Sequence, residues 1–157
     1  MDKIIINRTQ PLEIAKLRKL FKRAVKNDFN YFPEEYKKKV LAKNNLMRLL
    51  FALKKPDRII MTASSDKKIK GFILANLPTT NVGQIHWLYV APDSRKMGVG
   101  KKLLKACLRD FKKQGVNKVV LETHNYQDYY LRRGFTLSKI NKMQFSTITM
   151  YIMSISL

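Results

Sequence analysis

Two of the chain's six glycines, Gly98 and Gly100, fall in Arg95-Lys96-Met97-Gly98-Val99-Gly100, between a β-rich run and an amphipathic helical one. That junction constrains the fold more than any other feature. The run before it, Gly83–Val90, is closed by Ala91-Pro92-Asp93 and reads as a strand. After it, Val99, Leu103, Leu104, Cys107, Leu108 and Phe111 share one helical face, with Lys101, Lys102, Lys105, Arg109 and Lys112 opposite. Gly115 then marks the helix end, where glycine is common. A helix start leaves N–H groups unpaired and carries partial positive charge, so it suits a phosphate. Glycine lets the backbone approach a ligand without a Cβ in the way.

The rest of the chain alternates in the same manner. Lys3–Arg8 reads as a short strand, and Pro11 sits where a helix can begin. Leu12, Ala15, Leu17, Leu20, Phe21, Ala24 and Val25 recur at near-helical spacing, broken by the aromatic-rich Asn27–Phe32. Pro33 starts a second helical stretch running toward Lys54 and stopping before Pro56. Arg58–Ala63 and Ile69–Leu77 are strands joined by the turn Ser65-Asp66-Lys67-Lys68. Lys118–Thr123 is strand again, Asp128–Arg133 a short helix, and Phe135–Leu157 two closing strands. The order β-α-α-β-β-β-α-β-α-β-β predicts a mixed α/β (α+β) domain. No linker or repeat divides the 157 residues, so 1–157 is expected to form one domain.

Composition excludes several classes. A single cysteine, Cys107, allows neither an internal disulfide nor a cysteine-ligated zinc site, and no metal is expected. No stretch approaches the ~20 apolar residues of a membrane span, and Ile4-Ile5-Ile6 is too short for a signal-peptide core. The expectation is a soluble, cytoplasmic protein. The net charge is +21, distributed as +10 over residues 1–55, +1 over 56–94 and +10 over 95–157. Such a field attracts anions and repels cations, whether it reflects an anionic ligand or a lysine-rich proteome.

Three phosphate-binding patterns compete for the Arg95–Gly100 segment. A P-loop needs Gly-x-x-x-x-Gly-Lys-Ser/Thr, but Arg95 holds its first glycine position and Lys102 follows Lys101. A dinucleotide fingerprint needs a third glycine where Leu103 stands. The third pattern fits. Arg-x-x-Gly-x-Gly, preceded by Leu88-x-Val90-x-Pro92, resembles the acetyl-coenzyme A loop of the GNAT acyltransferase superfamily. Tyr130-Leu131-Arg132-Arg133-Gly134-Phe135 resembles that family's Tyr-x-x-x-Gly-Phe element, and Asp66–Phe72 its β2–β3 hairpin. The resemblance is tight over Ile85–Leu104 and Tyr130–Phe135 and loose over residues 1–56. It implies a mostly antiparallel mixed sheet of about seven strands flanked by about four helices.

The resemblance also implies a site. The backbone of Leu88, Tyr89 and Val90 would hydrogen-bond the pantetheine arm of coenzyme A like an added strand, in a gap where the fourth strand splays from the fifth. A main-chain N–H near Val90 would polarise the thioester carbonyl. Backbone N–H groups of Arg95, Lys96, Met97, Gly98, Val99, Gly100 and Lys101 would cradle the diphosphate. Asn125 occupies the place of a further coenzyme contact, although the family's seven-residue spacing from asparagine to tyrosine is here five. Tyr130 matches the tyrosine that can protonate the departing thiolate. For a base, His86 lies two residues before Leu88, on the same side by strand alternation, where some arylalkylamine acetyltransferases carry histidine. Gln84 stands where others carry glutamate. Glu122 resembles a glutamate of enzymes that acetylate protein N-termini, and His124 is a weaker third candidate. An unperturbed histidine pKa of ~6.5 suits a base directly, whereas a glutamate needs burial or a water relay.

The family chooses acceptors through the first two helices and the β6–β7 loop, here Phe29, Tyr31, Phe32 and Tyr36 with Lys139–Lys142 opposite. The charge disfavours polyamines and lysine-rich tails, leaving a small-molecule or peptide amine, neutral or acidic, bound by a monomer or homodimer. Two rival classes remain at this level. One is a basic nucleic-acid-binding module, for which no zinc spacing, leucine zipper or RNA-recognition signature is present. The other is a GNAT fold that binds coenzyme A and transfers nothing.

Overall fold

The computed structural model describes residues 3–143 and 147–157. β1 (Ile5–Arg8) leads through a 3-10 turn (Pro11–Glu13) into α1 (Ile14–Asn27), α2 (Glu34–Lys43) and α3 (Leu46–Ala52). β2 (Arg58–Ser65), β3 (Lys68–Asn76) and β4 (Val82–Val90) follow, then a 3-10 turn (Pro92–Ser94) and α4 (Val99–Lys113). β5 (Lys118–Thr123), α5 (Gln127–Leu131), β6 (Thr136–Lys142) and β7 (Thr149–Ser156) complete the order. The seven strands form one sheet, β1-β2-β3-β4-β5-β7-β6, in which only β4 and β5 run parallel. The expected mixed sheet is therefore present, with five α-helices among the described residues rather than about four.

The extra helix corrects the reading of Pro33–Lys54 as one stretch. Asn44 and Asn45 interrupt it, and the Asn45 side chain accepts from the N–H of Arg48 at 3.0 Å. Asparagine satisfies an orphan donor of a helix start in this way, so a break is more stable here than a continuous helix. At the β2–β3 turn, Asp66 and Lys67 both take positive φ, 50° and 60°. Two such residues match the right-handed twist of the flanking strands.

Each face of the sheet has its own core. Leu103, Leu104, Cys107 and Phe111 of α4 pack with Ile59, Ala63, Ile73, Ile85, Val119 and Leu121 on one side. Ile14, Leu17, Phe21 and Val25 of α1 pack with Ile60, Phe72, Leu74 and Tyr89 on the other, joined by Val40 of α2 and Leu49 of α3. Each fully buried large side chain contributes ~1.5–3 kcal/mol relative to exposure, so the two layers fix how the helices sit on the sheet. Gly83 belongs to the α4 layer, since a Cβ there would lie 2.6 Å from the Phe111 ring.

Candidate active site

The sheet opens in its middle. β4 and β5 face each other only through Val82↔Lys118, Gly83↔Val119, Gln84↔Val120 and Ile85↔Leu121. Beyond Ile85, β4 continues to Val90 paired with β3 alone, while Glu122 and Thr123 of β5 pair with β7 alone. A bulge starts the divergence. Leu74 faces Trp87 and Ala75 faces Ile85, so His86 is the residue without an opposite number. An extra residue of this kind bends a strand and increases its twist. It also switches the alternation of faces. Ile85 and Leu88, three residues apart, both join the α4 layer, whereas Trp87 and Tyr89 join the α1 layer.

The bulge corrects the placement of His86 on the side of Leu88. His86 Nε2 donates to Oδ1 of Asn76, whose neighbour Ala75 belongs to the α4 layer, so His86 is drawn toward the α1 face. Its imidazole pKa is lowered, first by desolvation and then by the Arg58 guanidinium, which favours the neutral ring. Glu122 follows Leu121 of the α4 layer and is exposed on the opposite face. Burial and then the Glu122 carboxylate raise the Tyr36 phenol. His124 Nδ1 donates to the Thr149 carbonyl at 2.7 Å, which leaves Nε2 as the acceptor nitrogen.

Aromatic rings cross this face from β4 toward the end of β5. Trp87 meets Phe29 edge-on at 5.2 Å, Phe29 meets Tyr31 at 6.0 Å, and Tyr31 meets His124 at 4.7 Å. Phe32 packs on Tyr31 at 4.6 Å and on Tyr36 at 4.7 Å. Lys139–Lys142, expected opposite them in a loop, lie instead within β6, and residues 144–146 of the following connection lie outside the described residues.

At the far end of β4, Lys96 and Gly98 turn the chain through positive φ (63° and 74°) into α4. The first helical hydrogen bond runs from Lys102 N–H to the Gly98 carbonyl at 3.0 Å. Among the described residues, the N–H groups of Lys96, Met97, Gly98, Val99, Gly100 and Lys101 make no well-formed hydrogen bond. These six successive N–H groups lie at the N-terminal, positive end of a 15-residue helix, the chemistry that an anion requires. Arg95 braces this end from outside. Its Nε donates to the Val90 carbonyl at 3.1 Å, and its guanidinium lies 5.7 Å over the Tyr89 ring. Tyr89 donates its hydroxyl to Asp28, and its phenol pKa is pushed up to about 12 by burial and then by that carboxylate.

Tyr130 is 8% exposed, edge-on to Phe135 at 5.5 Å and to Tyr129 at 5.0 Å. Desolvation raises its phenol well above the ordinary value, so it stays protonated. Asn125 is exposed and makes no hydrogen bond among the described residues. Sequence reasoning missed Asp28. No local pattern points to Asp28, whose partners lie on β4 and in the loop after it.

Two surface concavities lie elsewhere, along the outer face of α4. One of about 520 Å³ is lined by Lys105, Leu108, Arg109, Lys112, Lys113 and Leu157. It is an open cationic trough, remote from the β4–β5 gap. No group of metal-ligating side chains occurs among the described residues, and no helix there is long and apolar enough to cross a membrane.

Known proteins share this fold. A family model described as Acetyltransferase (GNAT) family matches residues 17–135. The PaiA N-acetyltransferase of Thermoplasma acidophilum, solved with coenzyme A, superposes with a TM-score of 0.81 at 21% identity, over 99% of each chain. Ard1 of Thermoplasma volcanium gives 0.76 at 18% identity, over 98% of this chain and 97% of that one. A ribosomal-protein alanine N-acetyltransferase of Escherichia coli gives 0.74 at 15% identity, over 98% and 94%. At these identities the likeness is one of fold. No curated protein sequence matches significantly.

Proposed function

The chain belongs to the acetyltransferase (GNAT) family, and on that premise we propose that it moves an acetyl group from acetyl-coenzyme A to a primary amine of a small molecule or peptide, by direct attack with both substrates bound. The observation that carries this reading is the run of six unsatisfied N–H groups from Lys96 to Lys101, set beside the unpaired edge of β4. A cradle of donors fits the diphosphate of coenzyme A, and an open strand edge fits its amide-bearing arm.

Acetyl-coenzyme A supplies the acyl group as a thioester. The N–H groups of Lys96 through Lys101 hold the diphosphate, with Lys101, Lys102 and Arg95 adding positive charge. Leu88, Tyr89 and Val90 offer backbone groups to the pantetheine arm, and Asn125 stands where a further contact is made. A main-chain N–H of this edge faces the negative charge that builds on the carbonyl oxygen as the amine attacks. Tyr130, kept protonated by its burial, gives its proton to the departing sulfur as the C–S bond breaks. The proton lost by the amine goes to His86, whose neutral form burial favours, or to Glu122. The acceptor enters from the aromatic face of Phe29, Tyr31, Phe32 and Tyr36. A net charge of +21 favours a neutral or acidic amine there.

Thermal unfolding tests the reading. Acetyl-coenzyme A at a hundred times its dissociation constant should stabilise the fold by ~2.7 kcal/mol. Amines from a broad library should then release free thiol. Stabilisation without thiol release across that library would leave a coenzyme-binding fold without transfer. Stabilisation by RNA or DNA but not by acetyl-coenzyme A would replace the reading with nucleic-acid binding.

A further inference from the structure

Lys105, Leu108, Arg109 and Lys112 recur at helical spacing along α4 and form one stripe on its outer face, with Lys113 beside them. Together with Leu157, which follows β7, they line the trough of about 520 Å³. Leu108 and Leu157 are half-buried against the α4-side core, and the Leu157 N–H donates to the Asn117 carbonyl at 2.9 Å. They give the trough a fixed apolar floor. The four basic side chains around it are exposed, so their heads stand in water above that floor.

Among the described residues, none of Lys105, Arg109, Lys112 and Lys113 pairs with a carboxylate. The acid between them, Asp110, is taken by Arg8. Like charges three or four residues apart on a helix repel, and Arg109 has such neighbours in Lys105, Lys112 and Lys113. Lys112 and Lys113 stand in the last turn, where the helix dipole favours cations. That effect fades before Lys105 and Arg109, so helix formation does not account for this pair.

We propose that the trough docks an acidic polypeptide segment of a partner protein. An apolar side chain of that segment sits on Leu108 and Leu157, and its flanking carboxylates meet Lys105, Arg109, Lys112 and Lys113. Charge complementarity sets the class of partner, because an anion relieves the repulsion along the stripe. The floor chooses among polyanions. Among the described residues, no aromatic side chain lines the trough, so a single-stranded nucleic acid finds nothing on which its bases stack. An acidic peptide supplies both parts, an apolar anchor for the centre and charged groups for the wet rim. Docking here uses none of the residues assigned to acetyl transfer and stands independently of that reading.

Fluorescence anisotropy tests it with three probes: a labelled peptide repeating Glu-Glu-Leu, one of equal length repeating Glu-Glu-Ser, and a single-stranded oligouridylate. Two double variants change the net charge equally. Lys105→Glu with Arg109→Glu alters the trough, and Lys16→Glu with Lys19→Glu alters exposed positions of α1. Lys105→Gln with Arg109→Gln replaces the first if circular dichroism shows that it does not fold. Wild type should bind the leucine peptide about tenfold more tightly than the serine peptide. The trough variant should lose about tenfold in affinity for the leucine peptide, and the α1 variant less than about twofold. Equal losses in the two variants would reduce the binding to the diffuse field of the chain and overturn the proposal. Equal affinity for the two peptides, or binding of neither, also overturns it. Tighter binding of the oligouridylate, lost in the trough variant, would replace the peptide with nucleic acid.

Discussion

Asp28, at the C-terminal end of α1, holds Arg95 at 3.4 Å (Oδ2 to Nη2), joining the acceptor-side helices to the loop that opens α4. The same carboxylate accepts from the Tyr89 hydroxyl. An ion pair this exposed is worth ~0–1 kcal/mol by itself, so the hydrogen bond to the buried Tyr89 should dominate its energetics. Asp28→Ala is expected to cost ~1–3 kcal/mol, because it strands that hydroxyl. Adding Tyr89→Phe should recover most of the loss. Urea unfolding of the four proteins in the cycle measures it, and additive losses would show that the two groups do not cooperate.

Gly98 and Gly100 fail differently when substituted. Nothing lies within 4 Å of a Cβ built on Gly98, but its φ is +74°, so Gly98→Ala should cost ~1–2 kcal/mol and place a methyl beside the free amides. Coenzyme A affinity should fall at least tenfold in a folded protein. Gly100→Ala instead drives a Cβ toward the Tyr129 hydroxyl and displaces that ring. Titration together with circular dichroism separates the two outcomes.

Tyr130→Phe should lower kcat by roughly 10²-fold, the smaller end for a proton donor, and leave the KM for acetyl-coenzyme A nearly unchanged. Because burial holds this phenol protonated, the basic limb of the pH–rate profile should not report it below about pH 10. An unaltered kcat would remove Tyr130 from the reaction.

His86 as the base has a distinct pH signature. His86 has a lowered pKa, so a rate dependent on its neutral form rises through a value below ~6.5 and is flat above it. His86→Gln should abolish that acidic limb if His86 takes the proton, and a limb that persists in the variant would remove His86 from that role. Stability carries a separate signal. A histidine with a depressed folded pKa contributes stability that is present above its unfolded value and lost as pH falls through its folded one. His86→Gln should therefore flatten the decline of the melting temperature just below pH ~6.5.

The regular parts of this fold were legible because their signals are local. Lys118–Thr123 is a strand to the residue, and the amphipathic pattern of α4 names its buried side; in α1 the pattern finds Leu17, Phe21, Ala24 and Val25, but Leu12 and Ala15 are exposed and Ile14 is buried in their place. The turn into α4 is legible for the same reason, since a glycine pair between a strand and a helix is a sequence feature. His86 shows the limit. Alternation presumes an unbroken pleat, and nothing in Gln84-Ile85-His86-Trp87 announces that one residue is left over. The Asn44–Asn45 break had a capping signal that the surrounding lysine-rich helix pattern hid. Asp28 was beyond reach, because its role exists only once α1 lies against β4 and Arg95.

The short parallel seam between β4 and β5 has a mechanical consequence. Among the described residues, the strand pairing between the β1–β4 sector of the sheet and the β5–β7 sector is limited to four facing pairs. Where the seam is unpaired, the separation of β4 from β5 sets the width of the slot between them. A ligand laid along that slot as an extra strand would stitch the sectors together, so loading the first substrate would stiffen the frame that receives the second.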